Sequence, residues 1–397
     1  MSQIGDAMET TTTAWLLYEI TKSPVLLGLG GGIRALAIIL FGLIGGALAD
    51  RVDRRRTLLV VQSAFAVSSL VLGALVVTGQ VTFWHIYVFS AVNGALGAFD
   101  APARRAMFPT LVPRAEMQNA ITLNSSIFRT ARLVGPGIAG VIIAVYGPAV
   151  SYFVNVATYA AILGALALMH VPRSAARTKA PLLDEAAEGL RYTFRRPLLR
   201  SLLLLESVHS LFGVNTALLT ILAGDVLRVG PEGLGLLLSA QAVGAMVGTT
   251  ALVMTGDIEH KGRAMLVAGG VYAVAFALLA GAARLETAIV IIAALGLADA
   301  FWTTMRNTAF QLQTDEAYRA RTLSVLLLAG RGFTQGAQLE SGVAVSLGGP
   351  GFAMLVGAGV IATSLAAVNL RTKEIRGFRG VPDAVAAAVA TTPDPGD

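Results

Sequence analysis

The feature that most constrains this chain is a series of twelve apolar stretches, separated by short polar clusters. Each is long enough to cross a bilayer, because about 20 helical residues span the hydrocarbon core. Only 14% of the residues are charged, whereas about 25% are charged in an average soluble protein. An all-α membrane protein is predicted, with spans at residues 1–21, 24–49, 57–79, 84–106, 117–146, 149–170, 198–227, 232–256, 264–284, 287–307, 319–347 and 351–371.

The sequence repeats itself in two halves. A shift of 207 residues places Leu27 on Leu234, Arg34 on Gln241 and Asp50 on Asp257. Each half holds six predicted spans, and because six is even, both halves have the same orientation in the membrane. In this register the start of span seven falls before Met1, so the first helix is expected to be truncated.

The repeat predicts four regions. They are a first six-helix half at 1–170, a linker at 171–197, a second six-helix half at 198–371 and a disordered tail at 372–397. Within the linker, residues 182–194 alternate apolar and charged side chains at near-helical spacing, as in a helix lying on a membrane surface.

The positive charges predict how the chain is oriented. Of the 30 lysines and arginines, 23 fall in the loops on one side of the predicted spans, and this number includes Arg306. We call this the basic side. Because cytoplasmic loops carry the excess of lysine and arginine, the basic side and both termini are predicted to be cytoplasmic, in the plasma membrane. The net charge of +6 then reflects loops that face anionic lipid, so no nucleic-acid partner is expected.

Several classes of chemistry have no support in the sequence. The chain has no cysteine and only four histidines, which excludes disulfides and thiolate metal sites and leaves little basis for other metal centres. It contains no nucleotide-binding motif and no His-Glu-x-x-His or Gly-x-Ser-x-Gly pattern. We therefore expect no cofactor, no metal and no enzymatic activity.

The loop after span two reads Gly-Ala-Leu-Ala-Asp-Arg-Val-Asp-Arg-Arg at residues 46–55. A glycine allows close packing at a helix end, an acid can face a helix N-terminus, and arginines can bind the rim of the bundle. The loop resembles the signature loop of the major facilitator superfamily, with a degraded copy after span eight. The gating residues that this resemblance implies are Gly46, Asp50, Arg51, Arg54, Arg55 and Asp257. We expect Asp50 to latch the basic side, against the start of span eleven or against Arg104 or Arg105.

Further motifs resemble one branch of that superfamily, which contains siderophore exporters and macrolide efflux proteins. Asp53 stands where many members have glycine, and the stretch from Asp100 to Arg105 is also similar. In span five, a Gly-Pro run that the superfamily associates with antiporters is matched by Gly135, Pro136, Gly137 and Gly140. The run is expected to let span five bend and approach its neighbours closely. The arginine that many proton antiporters carry in the middle of span four is missing, so that coupling site cannot be transferred.

Charged side chains at membrane depth are the best site candidates, because they are costly unless they face a cavity or a partner. The proton-coupling and cavity candidates are Asp6, Glu9, Arg34, Arg129, Arg132, Glu206, His209 and Arg331. Glu9 is the first choice for proton coupling, and an ion pair between Glu9 and Arg34 is feasible. The alternative is that Asp6 and Glu9 lie on a partly interfacial helix or serve structure only.

The other candidates also have two interpretations each. Arg129 and Arg132 either pair with Asp6, Glu9 or Glu206, or contact an anionic substrate group. His209 either titrates during transport or is a hydrogen-bonded structural residue.

These observations predict a secondary active transporter that works by alternating access of its two halves. We expect it to export an amphipathic or hydrophobic, drug-like small molecule in exchange for protons, as a monomer in the lipid bilayer. The alternative within transport is export of a siderophore-like or other anionic metabolite. From a different class, a membrane scaffold or sensor without transport is the competing function.

Overall fold

A computed structural model describes residues 2–49, 53–108, 111–169, 182–256, 258–372, 375, 377 and 378. These residues fold into α-helices joined by short turns. The helices are α1 (Ser2–Thr21), α2 (Pro24–Ala49), α3 (Arg54–Val77), α4 (Phe83–Met107), α5 (Met117–Tyr146), α6 (Pro148–Leu168), α7 (Leu182–Arg195), α8 (Pro197–Phe212), α9 (Thr216–Ile221), α10 (Gly230–Thr255), α11 (Lys261–Leu279), α12 (Leu285–Leu312) and α13 (Arg319–Arg371).

Nine helical stretches within the described residues are long and apolar enough to cross a membrane. The last of them lies in α13, which bends at Gly349, where φ is 81°, and continues from Pro350. Two predicted spans are therefore joined in this one element. The more polar helices α1 and α4 are not among the nine. The all-helical membrane fold is confirmed, and the count of twelve spans stays a prediction.

Span seven differs from the continuous helix that its hydropathy predicted, because it is broken between α8 and α9. At the break, Asn215 caps α9 by accepting a hydrogen bond from the Leu218 amide at 3.1 Å, and it donates to Ser341 at 2.7 Å. The Val214 amide donates to the Tyr272 hydroxyl at 2.9 Å. Side chains thus satisfy part of the backbone that the break releases, as the interior of a membrane requires. A π-helical turn, Leu222–Val226, completes the span.

The two halves touch along two pairs of helices, α2 with α13 and α5 with α10. Ser239 on α10 donates a hydrogen bond to the Leu133 carbonyl at 2.9 Å. One turn further from the basic side, a Cβ atom at Gly235 would lie 2.6 Å from the carbonyl oxygen of Pro136, and one at Gly140 would lie 2.7 Å from that of Pro231. Only glycine permits this approach, so α5 and α10 lie very close together at the Gly-Pro run, while the bend expected of that run stays a prediction.

Helices α5 and α10 separate toward the basic side. Every residue of α5 from 121 to 130 is exposed, around the full circumference of the helix. No described helix therefore packs closely against this part of α5, whereas one turn further along Leu133 accepts a hydrogen bond from α10. We call the space between the halves on the basic side the central opening, and the opposite end of the bundle the closed end.

The basic rim is described only in part. Asp50, Arg51 and Asp257, the surroundings of Gly46, and the side chains of Arg105 and Arg331 lie outside the described residues. Asp53 caps α3 by accepting hydrogen bonds from the amides of Arg55 and Arg56 at 3.0 and 3.1 Å. This accounts locally for aspartate at a position where glycine is common.

Several arginines of the same rim are described. Arg54 begins α3, and Arg55 donates to the carbonyls of Leu166 and Ala167 at 2.8 and 2.7 Å, so it holds the end of α6. Arg104 pairs with Asp100 at 2.9 Å. The latch formed by Asp50 stays a prediction.

The linker contains the predicted helix, as α7, and this helix also packs on protein. Tyr192 stacks on Tyr318 with ring centroids 4.3 Å apart. Glu188 pairs with Arg321 at 2.6 Å, and next to the helix Arg196 pairs with Asp315 at 2.6 Å. These contacts attach the linker to the basic side of the second half.

Candidate functional site

Two arginines of α5 face the central opening. Arg129 and Arg132 precede Leu133 and Pro136 by four residues each, so they lie on the same side of α5, one turn nearer the basic side. That side of α5 faces α10 where the two helices touch, and it is open nearer the basic side. Both arginines are exposed, and neither forms an ion pair with a described residue. The pairing with acidic residues considered for them is therefore absent here.

Asp6 and Glu9 point into the interior of the first half. Glu9 is 6% exposed and accepts hydrogen bonds from the Ser69 hydroxyl and from the Asn155 amide, the latter at 2.8 Å. Asp6 accepts one from the Tyr159 hydroxyl at 2.7 Å. These partners belong to α3 and α6. The ion pair between Glu9 and Arg34 does not form, because neutral groups on the other side of α1 hold the carboxylate.

Arg34 lies on α2 near the closed end. It lines a small cavity of about 40 Å³ between the halves, together with Thr10, Ser90, Thr216 and Gln338. Its Nε atom is shut off from solvent and has no hydrogen-bond partner among the described residues. The cavity wall thus contains a cation without a close counter-ion.

The second half contains a buried ion pair between α8 and α12. Arg306 contacts the carboxylate of Glu206, and the two side chains are only 7% and 9% exposed. The Ser210 hydroxyl donates to the same carboxylate at 3.1 Å. The assignment of Arg306 to a loop on the basic side was wrong, because α12 continues to Leu312 and encloses it. Glu206 therefore finds its partner within its own half.

A second polar contact joins the same two helices one turn nearer the closed end. The Nε2 atom of His209 lies 3.0 Å from the Asp299 carboxylate. The imidazole packs between the rings of Tyr272 and Trp302, with centroid distances of 4.4 and 5.2 Å. His209 is nearly buried, whereas 41% of the Asp299 side chain is exposed.

The exposed part of Asp299 lies on the side of α12 that faces α8. Asp299 and Arg306 are seven residues apart and lie on one side of α12, toward α8. Val290, on the opposite side of α12, is 69% exposed and apolar, as expected for a lipid contact. Among the described residues, no group of three or more His, Asp or Glu side chains could hold a metal ion.

Asp299 was not singled out from the sequence, although the repeat offered a signal. Asp100 matches Asp299 at an offset of 199 residues. In the first half, Asp100 accepts a hydrogen bond from Gln62 at 2.7 Å and pairs with Arg104. Each half therefore has an acidic side chain at this position that bonds to a neighbouring helix or helical turn.

The closed end contains a contact that joins the halves directly. The Tyr18 hydroxyl donates to Asp225 in the π-helical turn. The two residues are 207 apart, so they occupy equivalent positions in the repeat. Gly224 lies against the Tyr18 ring, and the Lys22 ammonium lies 4.7 Å from the ring centroid. The sequence did not reveal this contact, because a tyrosine near a span end is an ordinary interface residue.

Comparison with known proteins shows relatives that are transporters. The chain is 25% identical to the staphyloferrin A transporter of Staphylococcus aureus over 321 residues, which cover 79% of each protein. It is 25% identical to the enterobactin exporter EntS of Shigella boydii over 377 residues, or 94% of this chain and 89% of that one. It is 23% identical to the multidrug efflux pump Tap of Mycolicibacterium fortuitum over 334 residues, or 81% of each.

Solved structures have the same fold. A bacterial homologue of the lysosomal transporter Spinster, crystallised in an inward-facing and occupied conformation, matches with a TM-score of 0.73 at 15% identity over 96% of each chain. A D-xylose–proton symporter matches with a TM-score of 0.70 at 14% identity, over 95% of this chain and 98% of that one. Residues 1–384 match the family model described as transmembrane secretion effector. The chain therefore belongs to the transmembrane secretion effector family of the major facilitator superfamily, whose members are membrane transporters and not enzymes.

Proposed function

We propose that this protein exports an amphipathic small molecule by alternating access, in exchange for protons. The observation that carries the proposal is the central opening, which ends at a closed end where Tyr18 meets Asp225 and α5 meets α10. Such a one-sided opening is the geometry of one end state of a rocking transporter. The lysine and arginine bias supports assigning the open side to the cytoplasm, with the protein acting as a monomer in the plasma membrane.

The walls of the central opening support an amphipathic substrate. The exposed part of α5 presents Phe128, which is 46% exposed, on the flank next to the charged Arg129 and Arg132. Apolar walls with a few placed polar groups are typical of small-molecule sites. The similarity to a multidrug efflux pump agrees with this substrate class.

A second candidate substrate is an anionic metabolite of the siderophore type. Two relatives are named for staphyloferrin A and enterobactin. The specific observation in favour is that Arg129 and Arg132 are exposed and lack acidic partners among the described residues.

We assign proton exchange to His209 and Asp299, in place of the span-one residues Glu9 and Asp6 expected from the sequence. The Asp299 side chain is partly exposed, and its contact with His209 places two groups that can hold a proton at one site. A shift of α8 relative to α12 during rocking would part the pair and alter its hold on a proton. Asp6 and Glu9, bonded inside the first half, are assigned a structural role.

The proposal is tested in proteoliposomes with an imposed pH gradient. The probes are ethidium and N-dansyl-phenylalanine, an amphipathic cation and anion. We expect pH-driven accumulation in the wild type and its loss in His209→Gln and Asp299→Asn, with probe binding retained. His85→Gln is the matched control, because His85 is exposed on the opposite side and bonds only to Thr82 in its own turn.

The outcomes separate the competing functions. Movement of a probe without any effect of the gradient would reject proton antiport and leave transport. Binding without movement of either probe would favour a scaffold or sensor. Equal loss of accumulation in the control would reject the assignment to His209 and Asp299.

A further inference from the structure

We propose that Arg34 is an anchor for a carboxylate, and that the transported molecule is an amphipathic organic acid whose acidic head group binds beside this arginine. The inference deepens the proposed function and rests on it. It assigns a binding residue that is distinct from the pair to which we assign proton exchange.

The first step is the convergence of donors at the small cavity near the closed end. Arg34 from α2, Ser90 from α4, Thr216 from α9 and Gln338 from α13 all line it. The hydroxyl groups of Ser90 and Thr216 form no hydrogen bond within the described residues, and the Arg34 Nε is buried without a partner. Unused donors from both halves therefore surround one small space.

The second step is the missing counter-ion. A guanidinium at membrane depth is costly unless an anion or a carbonyl group stabilises it. Asp6 and Glu9 form no ion pair with Arg34, because their carboxylates accept hydrogen bonds from Tyr159 and from Ser69 and Asn155. No described residue forms an ion pair with Arg34, so its guanidinium is available to an anionic ligand.

The third step is the chemistry of the anion. A guanidinium presents its N–H groups as a planar fork that matches the two oxygens of a carboxylate. The neighbouring hydroxyl groups can donate to the same oxygens. An ammonium group at this place would provide a point charge without that match.

The fourth step is size. The cavity holds about 40 Å³, and a cavity of about 10–15 Å³ is enough for one water, so it accommodates a carboxylate head group and not a whole drug-like molecule. The rest of the ligand must then extend into the central opening, toward the exposed apolar side chain of Phe128. An acid with a large apolar body fits both parts.

The test compares matched acids and amides on the full-length purified protein. The probes are N-dansyl derivatives of phenylalanine, leucine and tryptophan and their uncharged carboxamides, with binding measured by dansyl fluorescence. We expect the wild type to bind the acids about tenfold or more tightly than the amides, since a charge-assisted hydrogen bond has this effect on Kd. Arg34→Gln should remove the preference, and Arg34→Lys should keep part of it.

Arg284→Gln is the matched control, because it removes one exposed positive charge at the start of α12, away from the cavity. It should leave the preference unchanged. Retained amide binding in Arg34→Gln shows that this variant is folded. If it does not fold, the comparison rests on Arg34→Lys, for which an unreduced preference would count against the fork geometry and overturn the proposal.

Four results would overturn the proposal: no binding of any acid, equal binding of acids and amides, a preference that survives in Arg34→Gln, or an equal loss in Arg284→Gln. A lipid whose phosphate enters between the halves is the competing source of an anion. Acid binding that disappears when phosphatidylglycerol is added to phosphatidylcholine nanodiscs would assign Arg34 to lipid and overturn the substrate assignment. Loss of pH-driven transport with the acid preference intact would reject antiport and support the Arg34 site.

Discussion

Tyr18→Phe should loosen the closed end and populate a conformation open on that side. The substitution deletes only the hydroxyl group that donates to Asp225. The ring contacts with Trp15, at 5.6 Å between centroids, and with Lys22 stay in place. Because the bond joins the two halves, its loss weakens one conformation of the transporter and leaves the packing within each half unchanged.

The size of the effect follows from the environment of the bond. A hydrogen bond to a charged group contributes about 1.5–3 kcal/mol. Tyr18 is 3% exposed but Asp225 is exposed, so we take the lower value of about 1.5 kcal/mol. This corresponds to a change of roughly tenfold in the ratio of the two conformations. An open population of about 1% would rise to about 9%.

The assay measures the distance between spin labels on the two halves. The chain has no cysteine, so Gln80→Cys and Glu286→Cys place the labels without further changes. Both residues are exposed at the closed end, one in each half. Double electron–electron resonance should show a new, longer distance in Tyr18→Phe.

Tyr87→Phe is the matched control. The Tyr87 hydroxyl donates to the Leu26 carbonyl at 2.8 Å, within the first half. This variant also loses a tyrosine hydroxyl that donates a hydrogen bond, here to a neutral carbonyl, without affecting the contact between the halves. An unchanged distance distribution in Tyr18→Phe, or the same shift in Tyr87→Phe, would refute the role of Tyr18 as a closing contact.

Three further substitutions test the buried polar contacts. Arg306→Met should destabilise the protein by about 3–5 kcal/mol, because it leaves the Glu206 charge buried and unpaired. Changing both residues to Met should cost less. Thermal unfolding in detergent measures both variants, and a larger loss of stability in the double variant would contradict the pairing. Glu9→Gln should lower the midpoint of unfolding by a few degrees, as expected for about 1 kcal/mol, and it should keep pH-driven transport. Loss of pH-driven transport with retained probe binding would restore Glu9 as the coupling residue. Asn215→Ala should lower the stability of the protein by about 2 kcal/mol, because it removes the α9 cap and the hydrogen bond to Ser341. An unchanged midpoint of thermal unfolding would show that the break in span seven does not depend on this side chain.

The sequence by itself predicted most of the helices and several of their bounds. The spans expected at 24–49 and 117–146 coincide with α2 and α5, because a membrane helix is set by the length of its apolar run and by the polar groups that end it. The motif around Gly46 and the repeat led to the correct superfamily. These are local or periodic properties, and they can be read without knowing which helices are neighbours.

Only the tertiary structure decided where the charged side chains point. Glu9 bonds to Asn155, which is 146 residues away, and Glu206 pairs with Arg306, which the sequence placed in a loop. Hydropathy could not reveal these partners, since lipid and a protein interior are both apolar and a membrane helix shows little difference between its lipid-facing and buried sides. The direction of a polar group around such a helix depends on which helices pack beside it, and that is a property of the whole bundle.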